Sequence, residues 1–402
     1  MPLLPSSAVT AAAAPPPAPP RHVLPVIVAA QFLGTAPWFA VNAVMPDLQR
    51  ATGWPAEAVG TLTSAVQLGF IAGTLVFALL AIADRLPARQ VFLFCALASA
   101  GCTLAAQQQA LSFEHLLVWR ALTGFCLAGI YPVGMKIASQ WFPRGLGAAL
   151  GWLIAALVLG SALPHALRAL SASWPWTAVF QGVALASAAA GVLLVWAVPE
   201  APRAPARASG LQWRALASLW TDRRVRASVL GYFGHMAELY TLWVLMPFIL
   251  ATRLQGAALS WVAFVVLGAG AIGCAGGGRW ALRIGSARVA AWQLGISGVC
   301  GLAAPWLLEA PDVLFYAWLL LWGITVAGDS PQFSALTASN AAPQAVGSVL
   351  TLSNSIGFGV SVLSIQLFVA LLPTVPLAQL LPWLALGPAL GVWALRPLWR
   401  TR

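Results

Sequence analysis

Four ionisable side chains lie inside long apolar runs of the sequence, where a charge carries a large desolvation cost. His235 and Glu238 lie three residues apart, and Glu238 is near the middle of its run. Residues three apart share one face of a helix. Asp329 and Arg120 lie in two other apolar runs. Because an ionisable residue inside a membrane is a functional candidate by default, these four are the first residues to interpret.

Their side chains suit proton and anion chemistry. A buried carboxylate loses much of its preference for the charged form, and a neighbouring imidazole can relay a proton to or from it. We expect Glu238, with His235 and Asp329, to carry a coupling proton. An arginine stays charged, so Arg120 is predicted to bind an anionic solute or to neutralise a carboxylate in the empty protein. Competition between solute and carboxylate for Arg120 would then couple the two movements.

A structural interpretation stays open for each of these residues. Arg120 could pair permanently with a carboxylate, and His235 could be an ordinary packed residue. Asp329 could cap a helix break before Pro331. Such an interpretation is hardest to support for Glu238, because a carboxylate in the middle of a membrane has no obvious packing role.

Neutral polar and aromatic residues in the same runs are further candidates for a solute site. Trp38 and Asn42 lie in the first apolar run and Asn354 lies in the eleventh, and we expect all three to contribute to solute binding. The sequence shows no phosphate-binding loop, zinc-ligand pattern or nucleophile elbow. It therefore predicts neither an enzyme nor a bound metal or cofactor, and it excludes ATP hydrolysis.

The composition requires a membrane around these residues. Of the 402 residues, 60% are hydrophobic and 8% are charged, whereas a soluble domain has about 25% charged residues. The apolar residues fall in runs of about 20, the length of a helix that crosses a bilayer. These observations exclude a soluble enzyme, a nucleic-acid-binding domain and a disulfide scaffold. The predicted fold class is all-α, a polytopic membrane protein.

Polar breaks divide the chain into twelve predicted transmembrane helices. In lipid, helices and closed barrels are the structures that satisfy the backbone, and these runs are too long for barrel strands. The predicted spans, numbered 1 to 12, are 24–45, 58–82, 90–107, 113–137, 146–167, 175–198, 227–251, 258–280, 289–308, 311–334, 345–372 and 376–396.

The basic residues of the loops predict the orientation of the chain. With both termini inside, the inside segments hold 17 basic residues and the outside segments hold three. The positive-inside rule then predicts cytoplasmic termini and a cytoplasmic central loop at 199–226. Residues 1–22 are rich in Ala and Pro and are expected to form a disordered cytoplasmic tail. The bias towards Ala, Arg and Pro indicates a GC-rich bacterial source, and hence a cell inner membrane.

Two stretches of equal length flank the central loop and carry a weak internal repeat. With an offset of 200 residues, the segment Pro-Arg-Gly-Leu-Gly at 143–147 aligns with Pro-Gln-Ala-Val-Gly at 343–347. Such parallel repeats are typical of transporters that rock about a central site. We therefore predict two pseudo-symmetric six-helix bundles, at 23–198 and 227–402.

The loop between predicted helices 2 and 3 resembles the signature of the major facilitator superfamily. It reads Asp84-Arg85-Leu-Pro-Ala-Arg89, with Leu80 and Pro87 in place of the two glycines of the family pattern. The resemblance extends over nearly the whole chain after residue 22. It implies that Asp84, Arg85 and Arg89 belong to a cytoplasmic gate, and that helices 1, 4, 7 and 10 line a central cavity.

Two further motifs refine the resemblance. Arg120-Ala-Leu-Thr-Gly124 is similar to the Arg-x-x-x-Gly motif of helix 4, and Trp141-Phe-Pro-Arg-Gly-Leu-Gly, followed by a glycine-rich helix 5, resembles the nitrate/nitrite and cyanate permease branch. Nitrate carriers of that branch hold the anion with arginines in helices 2 and 8. The present chain has none in these helices before Arg85 and Arg279, so nitrate itself is not the expected solute. The Gly-Pro pair of drug exporters is also absent from helix 5.

These observations together predict a secondary active transporter of the major facilitator type, coupled to protons, that moves a small polar or anionic organic solute by alternating access. Symport into the cell is favoured over export by the resemblance to permeases. The alternative is a proton-driven exporter of drugs or toxic compounds, in which Arg120 is structural. A transport-inactive membrane sensor is a third hypothesis. The expected partners are the solute, protons and the lipid bilayer, without nucleic acid, and the chain is expected to act as a monomer.

Overall fold

The computed structural model describes residues 19–108, 112–142, 146–200 and 211–399. Every regular element in these ranges is helical, which confirms the all-α fold class. Parts of the predicted cytoplasmic tail and central loop, at 1–18 and 201–210, lie outside the described residues.

Twelve helical segments follow one another in the described part of the chain, as predicted. Eleven of them are long and apolar enough to cross a membrane. The ninth has 17 residues, which is at the lower end of the range for a transmembrane helix. Helices 1 to 12 are Val23–Thr52, Ala58–Leu79, Ala88–Ala106, Phe113–Trp141, Gly147–Leu170, Thr177–Ala197, Arg223–Leu250, Gly256–Ile284, Ser286–Leu302, Asp312–Asn340, Val346–Leu371 and Leu377–Leu398.

Several predicted helix ends were wrong. Helix 4 continues four residues beyond 137 and helix 10 six residues beyond 334, and two other ends show how the chain accommodates proline. Helix 1 does not end at 45 before Pro46 but continues to Thr52, where Gly53 closes it with a φ of 74°. Helix 9 does not reach 308. It ends at Leu302, and Pro305 lies in the first turn of a separate short helix, because proline fits a helix start better than its interior.

The predicted central loop is partly helical. Arg214–Thr221 forms a short helix with Leu219 fully buried. The Asp222 side chain then accepts hydrogen bonds from two backbone N–H groups of the next turn, at 2.8 and 3.0 Å. An aspartate in this position is a favourable helix start, so helix 7 begins at Arg223, four residues before the predicted position.

Three of the four helices predicted to line the cavity are interrupted in mid-span. Helix 1 tightens into a 3₁₀ turn at Ala36–Phe39, helix 4 is broken just before Tyr131, and helix 10 is broken at Asp329. In helix 1 a proline occupies one of the first two positions of the 3₁₀ turn. In helices 4 and 10 a proline occupies one of the first two positions of the helical segment after the break. Proline cannot donate a backbone hydrogen bond, so carbonyl groups near these breaks are free to bind other donors.

The helices pack in a pattern that repeats after six. Helix 1 packs on helices 5 and 6, helix 2 on helix 4, and helix 3 on helix 6. The corresponding pairs recur as helix 7 on helices 11 and 12, helix 8 on helix 10, and helix 9 on helix 12. Helices 2 and 11, and helices 5 and 8, join the two sets. The boundaries at 23–198 and 227–402 stay a prediction.

Glycines at equivalent positions fix the closest crossings in each set. A Cβ atom on Gly124 of helix 4 would lie 1.9 Å from the carbonyl oxygen of Val66 in helix 2. A Cβ atom on Gly323 of helix 10 would lie 2.1 Å from the carbonyl oxygen of Val266 in helix 8. Small residues let membrane helices approach this closely. The glycine of the Arg-x-x-x-Gly motif therefore holds a helix crossing that the second set repeats.

Candidate transport site

A small cavity of about 30 Å³ lies between the two sets of helices, at the centre of the protein. Aromatic rings form much of its wall, and its polar groups are hydroxyls and one amide. Within the described residues, no charged side chain lines it. The aromatic and polar lining residues are Tyr131, Tyr232, Tyr240, Trp243, Phe358, Ser330, Ser334 and Asn354.

A buried aromatic layer closes the space beside this cavity. Trp38 of helix 1 stacks on Tyr240 of helix 7 and on Phe358 of helix 11, with ring centroids 6.1 and 5.6 Å apart. Phe39 stacks on the same tyrosine at 5.9 Å. Trp38 and Phe39 are fully buried. The two sets of helices are therefore held together in the middle by ring contacts.

Arg120 lies fully buried behind this layer and binds the interruption of helix 1. Its two terminal nitrogens donate to the backbone carbonyls of Pro37 and Trp38, at 3.0 and 2.6 Å. Its Nε atom has no hydrogen-bond partner. Among the described residues, no ion pair joins Arg120 to a carboxylate. The guanidinium group thus adds two hydrogen bonds to carbonyls of the 3₁₀ turn, of which that of Pro37 also accepts from the backbone N–H of Ala40.

Glu238 is fully buried among helices 7, 9 and 10. Its Oε1 atom accepts hydrogen bonds from the Ser297 hydroxyl and from the Trp322 indole N–H, both at 2.8 Å. Its Oε2 atom has no hydrogen-bond partner. The carboxylate therefore faces the interior of the second set of helices and keeps one oxygen free to hold a proton.

His235 and Asp329 lie together within the same set of helices. The Nδ1 atom of His235 is 2.8 Å from Oδ1 of Asp329, and both side chains have no exposed surface. The imidazole also packs against the rings of Tyr232 and Phe333, at 6.0 and 5.7 Å between centroids. The contact is an ion pair by distance, and neither ring nitrogen and neither carboxylate oxygen makes a hydrogen bond of normal geometry. The structure thus brings together two of the three residues predicted to carry the proton.

Besides Arg120, three uncharged residues were predicted to bind solute, and they lie at different places. Asn354 lines the central cavity, and Trp38 lies in the aromatic layer beside it. Asn42 instead lines a larger cavity of about 510 Å³, formed by the ends of helices 1, 5, 7 and 8. Its Oδ1 atom accepts a hydrogen bond from Thr63. Their roles in binding stay predictions.

The predicted gate residues lie at the opposite end of the helices. Asp84 borders a cavity of about 210 Å³ and pairs with Lys136 of helix 4. Arg89 donates to the backbone carbonyl of Val195 at 2.8 Å, and Arg85 lies exposed. Sequence reasoning missed Lys136, although it is the single lysine of the chain and lies at the same predicted membrane face.

Sequence reasoning also missed the partners of Glu238 and one buried histidine. Ser297 and Trp322 are distant from Glu238 along the chain, and no spacing rule connects them. His165 of helix 5 is 1% exposed and lines the larger cavity with Asn42. Its place in an apolar run, beside Pro164, is the signal that could have identified it.

Comparison with known proteins agrees with this geometry. Residues 27–365 match the Major Facilitator Superfamily. Over 254 residues the chain is 30% identical to a chloramphenicol resistance protein of Streptomyces lividans, and the aligned region covers 62% of this chain and 63% of that protein. Neither match bears on the predicted placement near the nitrate/nitrite and cyanate permeases. The chain therefore belongs to the Major Facilitator Superfamily.

Proposed function

We propose that this protein exports an uncharged or weakly polar aromatic compound across the membrane. The observation that carries the proposal is the lining of the central cavity. This lining consists of aromatic rings, hydroxyls and one amide, without a charged side chain among the described residues. Such a surface binds an aromatic body by stacking and a polar substituent by hydrogen bonds.

The similarity to a chloramphenicol resistance protein supports export as the direction of transport. It therefore favours the alternative predicted from the sequence, a proton-driven exporter of drugs or toxic compounds, over symport of an anion. The hydrogen bonds of Arg120 point the same way. An anion bound by this guanidinium would compete with its hydrogen bonds to the carbonyls of Pro37 and Trp38.

Protons are the proposed coupling ion, and Glu238 is their proposed carrier. Its free Oε2 atom holds the proton, while Ser297 and Trp322 keep the side chain in place. The His235–Asp329 pair provides a second exchange site in the same set of helices. Because neither group lines the central cavity, we propose that protonation acts on the packing of helices 7, 9 and 10.

Alternating access is proposed to proceed by rocking of the two sets of helices. Helices 2 and 11 are joined by two side-chain hydrogen bonds, Ser361 to Gln67 and Gln366 to Ser64, both 2.8 Å long. Breaking these bonds and the ring contacts of the aromatic layer would open one end. We further propose that the protein works as a monomer in a bacterial inner membrane, with cytoplasmic termini and a gate of Asp84, Arg85 and Arg89.

The test uses the purified protein in liposomes with an imposed pH gradient and radiolabelled chloramphenicol as the solute. We expect gradient-driven chloramphenicol transport in the wild type and a loss of at least tenfold in Tyr240→Ala, whose ring lines the cavity. The matched control is Tyr316→Ala, because Tyr316 packs on Phe315 outside the cavity lining. A small panel of uncharged aromatic compounds and of organic anions is tested in parallel.

Two results would overturn the proposal. One is transport of the anions but of no uncharged aromatic compound. The other is an equal loss of transport in the Tyr240 and Tyr316 variants, which would mean that the central cavity does not hold the solute.

A further inference from the structure

The larger cavity, of about 510 Å³, lies between the two sets of helices at the end predicted to face outwards. Its volume is in the range of small-molecule sites and far above that of the central cavity. The ends of helices 1 and 5 form one wall, and the ends of helices 7 and 8 form the other. Neither the family match nor the proposed function assigns a role to it.

Hydrogen-bond donors without partners point to a ligand in this cavity. The Nε2 atom of His165 and the Nδ2 atom of Asn42 are buried and make no hydrogen bond. The contact from Thr63 to the amide oxygen of Asn42 fixes which end of the amide is free. Buried polar groups are normally satisfied, so two unsatisfied groups on one cavity indicate a missing partner. The Asn42 amide requires an acceptor atom, and so does Nε2 of His165 in the tautomer that carries the proton there.

The charges on the cavity wall favour an anion. Asp47 is shared by two arginines: Arg50 donates to it at 2.5 Å, and Arg168 donates through Nε and Nη2 at 2.8 and 3.0 Å. One carboxylate therefore faces two guanidinium groups, which leaves an excess of one positive charge. Helices 7 and 8 add no charged side chain to the lining, within the described residues.

The rest of the wall favours an organic ligand over a simple inorganic ion. Pro247, Ala251, Leu254 and Leu259 give the opposite side of the cavity an apolar surface. We propose that this cavity is a second binding site, separate from the central one, that takes a small carboxylate. His165 and Asn42 donate to the carboxylate oxygens, Arg168 adds positive charge, and the apolar wall holds the organic body.

The experiment measures binding of benzoate to the purified protein in detergent by thermal unfolding, with benzamide as an uncharged ligand of the same shape. A ligand that binds the folded state raises the melting temperature in proportion to its occupancy. We expect stabilisation by benzoate and none by benzamide. We expect His165→Ala and Asn42→Ala each to weaken the apparent benzoate affinity at least tenfold.

Two further variants protect the test against a general loss of structure. His165→Gln keeps a donor near the same place and should retain most of the affinity. Tyr316→Ala removes a ring that packs on Phe315 outside both cavities and should leave benzoate binding unchanged. Equal stabilisation by benzamide, or unchanged benzoate affinity in both alanine variants, would overturn the proposal, as would absence of any benzoate effect on the wild type.

Radiolabelled benzoate in liposomes then separates the two sources of the carboxylate. Accumulation in the liposomes means that the carboxylate belongs to a transported solute, whereas stabilisation without accumulation means that a free anion occupies the site. Neither result depends on chloramphenicol transport. A failure of the proposed export function is therefore distinguishable from a failure of this site.

Discussion

In helices 1 to 6 the buried charge, Arg120, donates to two backbone carbonyls, whereas in helices 7 to 12 one carboxylate oxygen of Glu238 and both of Asp329 are without a hydrogen bond of normal geometry. The first arrangement stabilises a bent segment of backbone and offers no exchangeable proton. The second leaves atoms free to gain and lose one. The comparison suggests that the first set of helices serves mainly as a scaffold and the second set responds to protons.

The largest effect is expected from Glu238→Gln. Glutamine preserves an oxygen that can accept from Ser297 and Trp322, but it cannot release a proton. We expect gradient-driven solute transport in liposomes to fall at least a hundredfold, while exchange of labelled for unlabelled solute without a gradient continues. Gradient-driven transport that survived in this variant would contradict the proposal that helices 7 to 12 respond to protons and helices 1 to 6 serve as a scaffold.

The glycine crossings provide the next largest effect and compare the two sets directly. Gly124→Ala and Gly323→Ala would each place a methyl group within about 2 Å of a carbonyl oxygen. Each is expected to lower the free energy of unfolding by roughly 3 kcal/mol, because overpacking displaces the helices. Thermal unfolding in detergent measures both variants, with Gly151→Ala, where a Cβ atom meets no neighbour within 4 Å, as the control. A loss confined to one set would contradict their structural equivalence.

Arg120→Ala tests the scaffold role with a smaller expected effect. The substitution removes two buried hydrogen bonds, to the carbonyls of Pro37 and Trp38, and we expect a loss of about 2 kcal/mol in the free energy of unfolding. Solute affinity, measured by stabilisation of the variant with chloramphenicol, should change less than threefold. A variant of normal stability that no longer binds solute would instead return Arg120 to the role of a solute ligand.

The smallest effect is expected at the predicted cytoplasmic end. Lys136→Ala breaks the pair with Asp84, and both side chains are partly exposed, at 24% and 36%. Exposed ion pairs contribute about 0 to 1 kcal/mol, so thermal unfolding should shift by no more than a few degrees. A loss comparable to that of Arg120→Ala would show that charge pairing at this end contributes as much as the buried arginine.

The fold was predictable because each transmembrane helix has a local signal in the sequence. A run of about 20 apolar residues is a property of neighbouring residues, and so are the charged loops. The errors at Thr52 and Leu302 arose where a nearby proline is compatible either with the end of a helix or with the start of another. Helix packing decides between the two, and the sequence does not show it.

The buried ionisable residues could be identified from the sequence, but their contacts could not, and of the residues that line the central cavity only Asn354 was predicted. Spacing placed His235 and Glu238 on one face of helix 7, and the structure agrees. It could not show that this face turns towards helices 9 and 10, because Ser297, Trp322 and Asp329 reach it through tertiary packing. For the same reason Asn42 was grouped with Trp38 as a solute ligand, although it lines a different cavity.

The small central cavity also bears on how the protein insulates the membrane. A volume of about 30 Å³ leaves room for very few water molecules beside the layer of Trp38, Tyr240 and Phe358. We therefore expect protons to cross this layer poorly. Each proton that leaks through dissipates about 2.3 kcal/mol for every 100 mV of membrane potential. The closed aromatic layer is expected to limit this leak when no solute is bound.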